Sequence, residues 1–98
     1  MKILWSPLAV DRVLEIVGYI ARDNPDAAEN WVNEVFEKVE ALKTFPESGR
    51  IVPETHNEMI RELLYGNYRI IYGLREKQIS ILTIRHGKQI LPVDEIEA

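Results

Sequence analysis

Residues 59–86, MIRELLYGNYRIIYGLREKQISILTIRH, decide the fold. Three segments within them, 59–65, 68–74 and 78–86, are rich in Ile, Leu and Tyr and follow a period of two, the repeat of a strand whose successive side chains point to opposite faces. Gly66-Asn67 and a tight turn at Glu76-Lys77 separate them, and turns this short set the pairing register and with it the face of every side chain. With Tyr65 opposite Tyr68 and Arg75 opposite Gln78, one face carries Met59, Arg61, Leu63, Tyr65, Tyr68, Ile70, Tyr72, Leu74, Ile79, Ile81, Thr83 and Arg85. The other carries Ile60, Glu62, Leu64, Arg69, Ile71, Gly73, Ser80, Leu82, Ile84 and His86. The first is larger and more aromatic, so it is expected to face the core, and the second to stay open.

Upstream the period is helical. Ser6 can cap free backbone N–H groups, Pro7 suits a first helical position, and Ala9, Val13, Ile16, Val17 and Ile20 then recur on one side. Asn24-Pro25 ends this helix and starts a second, with Ala28, Trp31, Val32, Val35, Phe36, Val39 and Leu42 as its apolar stripe. So short a connection makes an antiparallel helical hairpin. Pro46-Glu47-Ser48-Gly49 stops the second helix, and 46–58 read as a polar loop containing Pro53 and His56. Residues 2–5 supply a fourth strand. The expected fold is α+β: a small antiparallel β-sheet with an N-terminal helical hairpin packed on one face, in the order β-α-α-β-β-β. It forms a single domain over 1–98, with 93–98 as an acidic tail.

Composition narrows the chemistry. A chain of 98 residues, 46% hydrophobic, fits one modest core. No apolar run reaches the roughly 20 residues of a membrane span, and a soluble cytoplasmic protein is expected. There is no cysteine and only two histidines, so no disulfide, thiolate nucleophile, metal centre or cofactor is expected. The net charge of -4 is unevenly spread: residues 1–60 carry six Lys/Arg against eleven Asp/Glu, and residues 61–92 carry six against Glu62 and Glu76 alone. An acidic first half argues against broad nucleic-acid binding but leaves room for one focused anionic contact on the second half.

On the face expected to be open, Arg69 lies diagonally across from Glu62 and close to the His86 strand. A guanidinium fork for phosphate, a carboxylate and a histidine together could make an acid–base site for phosphodiester chemistry. The same residues also suit a surface ion pair beside an ordinary histidine. Arg61 and Arg85, near the rims of the core face, are expected to snorkel or to pair with a helix carboxylate. Trp31 and Val35 suit either the core or a docking groove.

The order of these segments resembles the RelE/ParE superfamily of bacterial type II toxins over nearly the whole chain. The carriers are WSPLAVDRVLEIVGYIARDNPDAAENW, then FPESGRIVPE, IRELLYGNYRIIY and ISILTIRHGKQ. The resemblance implies a growth-arresting toxin neutralised by a cognate antitoxin that folds on binding. RelE-type members cut messenger RNA on the ribosome, whereas ParE-type members inhibit DNA gyrase. Of the basic residues that RelE-type nucleases carry, only Arg69 is matched: Ile60 and Glu62 stand where lysines are expected, and Gln89 where an arginine is. One nuclease subgroup uses a glutamate, an arginine and a histidine, which keeps Glu62, Arg69 and His86 as candidates, but Gly87 replaces its terminal aromatic residue. The ParE-like reading is therefore preferred, with no assigned catalytic residue. Arg61, Arg69, Arg85, His86 and Lys88 are its candidate target contacts, and Trp31 and Val35 its candidate antitoxin contacts. A RelE-like messenger RNA endoribonuclease and a non-toxic antitoxin-binding module are the alternatives.

Overall fold

A computed structural model describes residues 1–87 and 91–96. The chain runs β1 (Lys2–Trp5), α1 (Pro7–Ala21), α2 (Pro25–Glu40), a 3-10 turn (Ala41–Lys43), β2 (Arg50–Ile51), β3 (Ile60–Tyr65), β4 (Tyr68–Leu74), β5 (Gln78–His86) and α3 (Val93–Ile96). The five strands form one sheet in the order β1-β5-β4-β3-β2. The class and the hairpin on one face are as expected. The sheet, however, is mixed, because β1 pairs parallel to β5, from Lys2 opposite Gln78 to Trp5 opposite Ile81, while the other pairings are antiparallel. The chain leaves β1 through the helical hairpin, enters the sheet at the opposite edge as β2 and comes back beside β1 only as β5, so either direction is open to that pairing, and residues 2–5 carry no signal of which.

Local chemistry sets the helix starts. The Ser6 hydroxyl oxygen accepts from the Ala9 N–H at 3.0 Å and donates to the Leu82 carbonyl at 2.9 Å, so one side chain caps α1 and ties it to β5. Asn24 accepts from the Ala27 N–H at 3.1 Å and caps α2. Gly66, at φ +57, supplies the left-handed position that the two-residue β3–β4 turn demands. The main core lies between the hairpin and the sheet, where Ala9, Val13, Trp31, Val35, Val39 and Leu42 meet Ile70, Tyr72, Leu74, Ile79, Ile81 and Ile84.

The β3–β4 register is the expected one, with Tyr65 opposite Tyr68. The β4–β5 register begins as expected and then shifts: Ile71 pairs with Thr83 and Tyr72 with Ile81, leaving Leu82 as an extra residue in a β-bulge. A one-residue shift reverses every later face. Thr83 and Arg85, expected under the helices, lie on the opposite face. Ile84 and His86, expected opposite, lie on the helix face, with Ile84 in the main core.

That opposite face is covered as well. Val52, Ile60, Ile71, Leu82, Leu91 and Ile96 form a second buried cluster, so the 50s loop and α3 close over the sheet. Part of the stretch expected as an acidic tail is thus structural: Ile96 is 6% exposed, and Glu95 accepts from Thr83 at 2.8 Å and from Arg12 at 3.0 Å.

The loop into β2 is fixed by Tyr72, whose buried hydroxyl donates to the Pro46 carbonyl at 2.9 Å and accepts from the Gly49 N–H at 3.0 Å. A Cβ at Gly49 would lie 2.6 Å from the Glu62 carbonyl oxygen, so only glycine fits where the loop meets β3. Tyr72→Phe leaves the Gly49 N–H buried and unpaired, and is expected to lower the unfolding free energy by about 1–3 kcal/mol in urea denaturation.

Candidate functional site

Glu62 points from the middle of β3 to the face covered by the 50s loop, and its side chain has no exposure. An isolated carboxylate there would be severely penalised. Two arginines compensate it: Arg69 Nε donates to Glu62 Oε1 at 2.5 Å, and Arg50 Nε donates to Oε2 at 2.6 Å. The rest of the Arg69 guanidinium is engaged too. Its two terminal nitrogens each donate to one oxygen of Glu54 at 2.8 Å, the bidentate fork that is the strongest arrangement open to this pair. Arg69, 8% exposed, is therefore held on both sides by carboxylates, while Glu54 and Arg50 reach solvent.

The electrostatics follow this geometry. The hydrogen bonds that Arg69 donates to Glu54, together with those to Glu62 and the charges of both carboxylates, raise the Arg69 pKa above its ordinary value against the opposing effect of burial. The Arg69 fork likewise holds the Glu54 carboxyl below its ordinary 4.5, with Arg50 contributing charge.

The structure thus joins Glu62 to Arg69 as a buried pair braced by Arg50 and Glu54, neither of which the sequence pattern singled out. Both lie in or beside the loop before β3, outside the segments of period two. His86 is not brought to this pair. It stands opposite Tyr68 on the helix face, the two rings edge-on at 5.6 Å, although His86 and Arg69 border the same groove at the end of the sheet.

The other candidates are distributed differently. Arg61 donates to the Gly49 carbonyl at 3.0 Å and secures the loop before β2. Arg85 lies 3.5 Å from Glu95 of α3, so it does pair with a helix carboxylate, but on the face opposite the one expected. Trp31 and Val35, at 7% and 0% exposure, are inside the main core and hold the hairpin to the sheet. Lys88, like Gln89, lies outside the described residues. Among the described residues, no group of three or more His, Cys, Asp or Glu is placed to hold a metal ion, and no helix is long and apolar enough to cross a membrane.

Glu95 gives the molecule a pH dependence. Burial opposes its ionisation, yet hydrogen bonds from Thr83 and Arg12 and the charges of Arg12 and Arg85 hold its pKa below the ordinary 4.5. A carboxyl depressed in the folded state adds stability that is complete above its unfolded value and is lost as pH falls through the folded value. The melting temperature is expected to drop as pH falls below about 4.5, with a smaller drop in Glu95→Gln, read by circular dichroism melts between neutral pH and pH 3.

Comparison with known proteins agrees with this architecture. A sequence model described as "ParE toxin of type II toxin-antitoxin system, parDE" matches residues 3–91. A protein of Sinorhizobium fredii named "Putative toxin Y4kP" is 35% identical over 92 residues, covering 93% of each chain. A solved structure titled "Chromosomal ParDE TA system from P. aeruginosa" superposes with a TM-score of 0.70 at 22% identity, over 88% of this chain and 95% of that one, and so shares the fold. The family match spans the hairpin, all of the sheet except Lys2, and Leu91 of the second core, and the chain belongs to the ParE toxin family of type II toxin–antitoxin systems.

Proposed function

We propose that this ParE-family toxin arrests growth by binding and inhibiting DNA gyrase, and does not act by cutting RNA. The observation that carries the reading is the state of Arg69. A nuclease needs a cation able to meet phosphate and a group able to move a proton, and here the guanidinium donates to two carboxylates while His86 lies on the other face. Ile60 and Glu62, where RelE-type enzymes carry lysines, are buried in the second layer, at 7% and 1% exposure.

The toxin is one half of a two-component module whose other half is a cognate antitoxin. For that partner, exposed apolar side chains of the hairpin such as Leu14, Tyr19 and Phe36 are the better candidates, because Trp31 and Val35 are enclosed. Arg61, Arg85 and His86 remain candidate target contacts at the rims of the sheet.

The test is induced expression with parallel readout of DNA supercoiling and translation, together with purified gyrase. Blocked supercoiling with intact messenger is the expected result. Cleavage of ribosome-bound messenger with supercoiling untouched would replace this reading with the RelE-like one, and no effect on either would leave an antitoxin-binding module. His86→Gln sharpens the comparison: acid–base steps are typically worth about 10² to 10⁴ in rate, so a cleaving enzyme loses nearly all toxicity. A binding inhibitor is expected to keep it at matched expression, because glutamine removes the titrating group but retains the hydrogen-bonding capacity of a single contact at the rim.

A further inference from the structure

On the face of the sheet opposite the hairpin, the 50s loop, the start of β3 and the end of β4 enclose an open cavity of about 690 Å³, which Ile96 of α3 also lines. Its size is that of small-molecule pockets. We propose that it binds a free α-amino acid with a large apolar side chain, which lies over Gly73 while the carboxylate and ammonium meet Arg75 and Glu76 at the mouth.

Gly73 points to an occupant. It stands inside β4, where a glycine weakens a strand relative to alanine, yet nothing local demands it. Its φ lies outside the left-handed region, and a Cβ there would meet Ile60 and Leu82 only at 3.7 Å, an ordinary contact distance. Gly49 is the contrast, since a Cβ there would collide with the Glu62 carbonyl. A strand glycine required by neither backbone nor packing leaves a low place in the cavity floor, the mark of a site that something approaches closely.

The rest of the lining suits an apolar side chain. Ile60 and Ile96, both buried, add to the apolar lining, and Met59, 48% exposed, supplies an adaptable thioether wall. The loop wall is set in advance: the Thr55 hydroxyl donates to the Val52 carbonyl at 3.0 Å, and the Asn57 side chain accepts from the Met59 N–H at 2.9 Å. A ligand therefore finds this wall already ordered.

Charge decides the class of ligand. Glu54, Arg75 and Glu76 line the cavity, and Glu54 has both carboxylate oxygens on Arg69, so its charge is already answered. The side chains of Arg75 and Glu76 are exposed and make no hydrogen bond or ion pair among the described residues. They are consecutive in the chain, one cation and one anion at the same mouth. A plain carboxylic acid would set its charge against Glu76, and a plain amine against Arg75. An α-amino acid carries both charges on one carbon, so each finds its opposite, and its apolar side chain matches the floor. Binding is read on the toxin alone, so its outcome is independent of the gyrase reading.

The probes are L-leucine and L-phenylalanine, titrated at neutral pH and constant ionic strength into the whole chain and followed by amide NMR shifts and thermal melts. Saturable shifts centred on residues 54–60 and 73–76 are expected, with half-saturation on the order of 1 mM and a melt that rises with ligand. L-Serine lacks the apolar side chain, and N-acetyl-L-leucine and L-leucinamide each lack one charge; all three are expected to bind about threefold or more weakly. Arg75→Gln and Glu76→Gln are expected to weaken L-leucine about three- to fivefold, as for exposed charge pairs. Gly73→Ala separates binding from structure: it is expected to raise the melting temperature of the free protein by about 2–6 °C while weakening L-leucine about threefold or more, because the methyl group fills the floor. Should Gly73→Ala fail to fold, the ligand series and the two turn variants carry the test. No saturable shift well above about 1 mM, or equally tight binding of L-serine, N-acetyl-L-leucine or L-leucinamide, overturns the proposal. So does a folded Gly73→Ala that binds L-leucine as the wild type does.

Discussion

Arg69→Ala is expected to lower the unfolding free energy by about 3–5 kcal/mol, the usual cost of breaking a buried ion pair by removing one partner. The mechanism is specific to this position. The Glu62 side chain has no exposure and would keep only Arg50 as a charged partner, while Glu54 would lose the fork that orders it. Against a typical total of about 5–15 kcal/mol for a domain, this leaves a protein close to unfolding at growth temperature. Urea denaturation followed by circular dichroism measures it directly. The pairing also predicts a rescue: Arg69→Met combined with Glu62→Leu removes both buried charges and leaves Arg50 and Glu54 to water, so the double variant is expected to be more stable than Arg69→Ala. A folded Arg69→Ala that loses less than about 1 kcal/mol, a value usual for exposed pairs, would refute the structural role. Loss of toxicity in Arg69→Ala is therefore no evidence of catalysis, because a misfolded inhibitor and a disabled nuclease look alike in a growth assay. His86→Gln, at a partly exposed strand end, is the cleaner discriminator.

How far the sequence carries this structure depends on which interactions are local. Helix starts at Ser6-Pro7 and Asn24-Pro25 are decided within four residues, and both caps form as their chemistry requires. The β3–β4 register follows from Gly66-Asn67 in the same way. The bulge at Leu82 is different, because it depends on how β5 meets both β4 and β1. Its one trace in the sequence is a conflict: strict alternation through ISILTIRH puts Thr83 and Arg85 under the helices and Ile84 in the open, and a one-residue slip after Ile81 resolves both at once. The second core left a similar trace. Ile60, Ile71 and Leu82 are too apolar for a bare face, yet their cover comes from Val52, Leu91 and Ile96, isolated residues without a period to reveal them. The same gap hid the true partners of Arg69. Glu62 was legible as a cross-strand diagonal, whereas Arg50 and Glu54 are brought in by a loop whose path no pattern encodes.

Trp31→Ala is expected to be comparably damaging, at about 3–5 kcal/mol, and its companion Trp31→Phe much less so, at roughly 1–2 kcal/mol. The indole packs edge-on against Tyr68 at 5.4 Å, and Tyr68 in turn meets His86, so truncation at Trp31 opens a cavity where α2 meets the start of β4 and the end of β5. Its Nε1 is buried with no hydrogen-bond partner, so a phenyl ring forfeits volume and no polar contact. This pair of substitutions separates the two roles that the sequence allows for Trp31. A residue of the core changes the thermal melt in proportion to the volume removed, and binding of antitoxin, assayed below the melting temperature of each variant, stays near the wild-type value. A residue of the antitoxin interface does the reverse, losing affinity in both variants while the melt of the free toxin barely moves. With Trp31 at 7% exposure, and Val35 one turn further along at 0%, the first pattern is the expected one. The apolar surface offered to the antitoxin must then come from side chains that the fold leaves outside, and Leu14→Ser, at 64% exposure, should weaken the complex with little change in the melt.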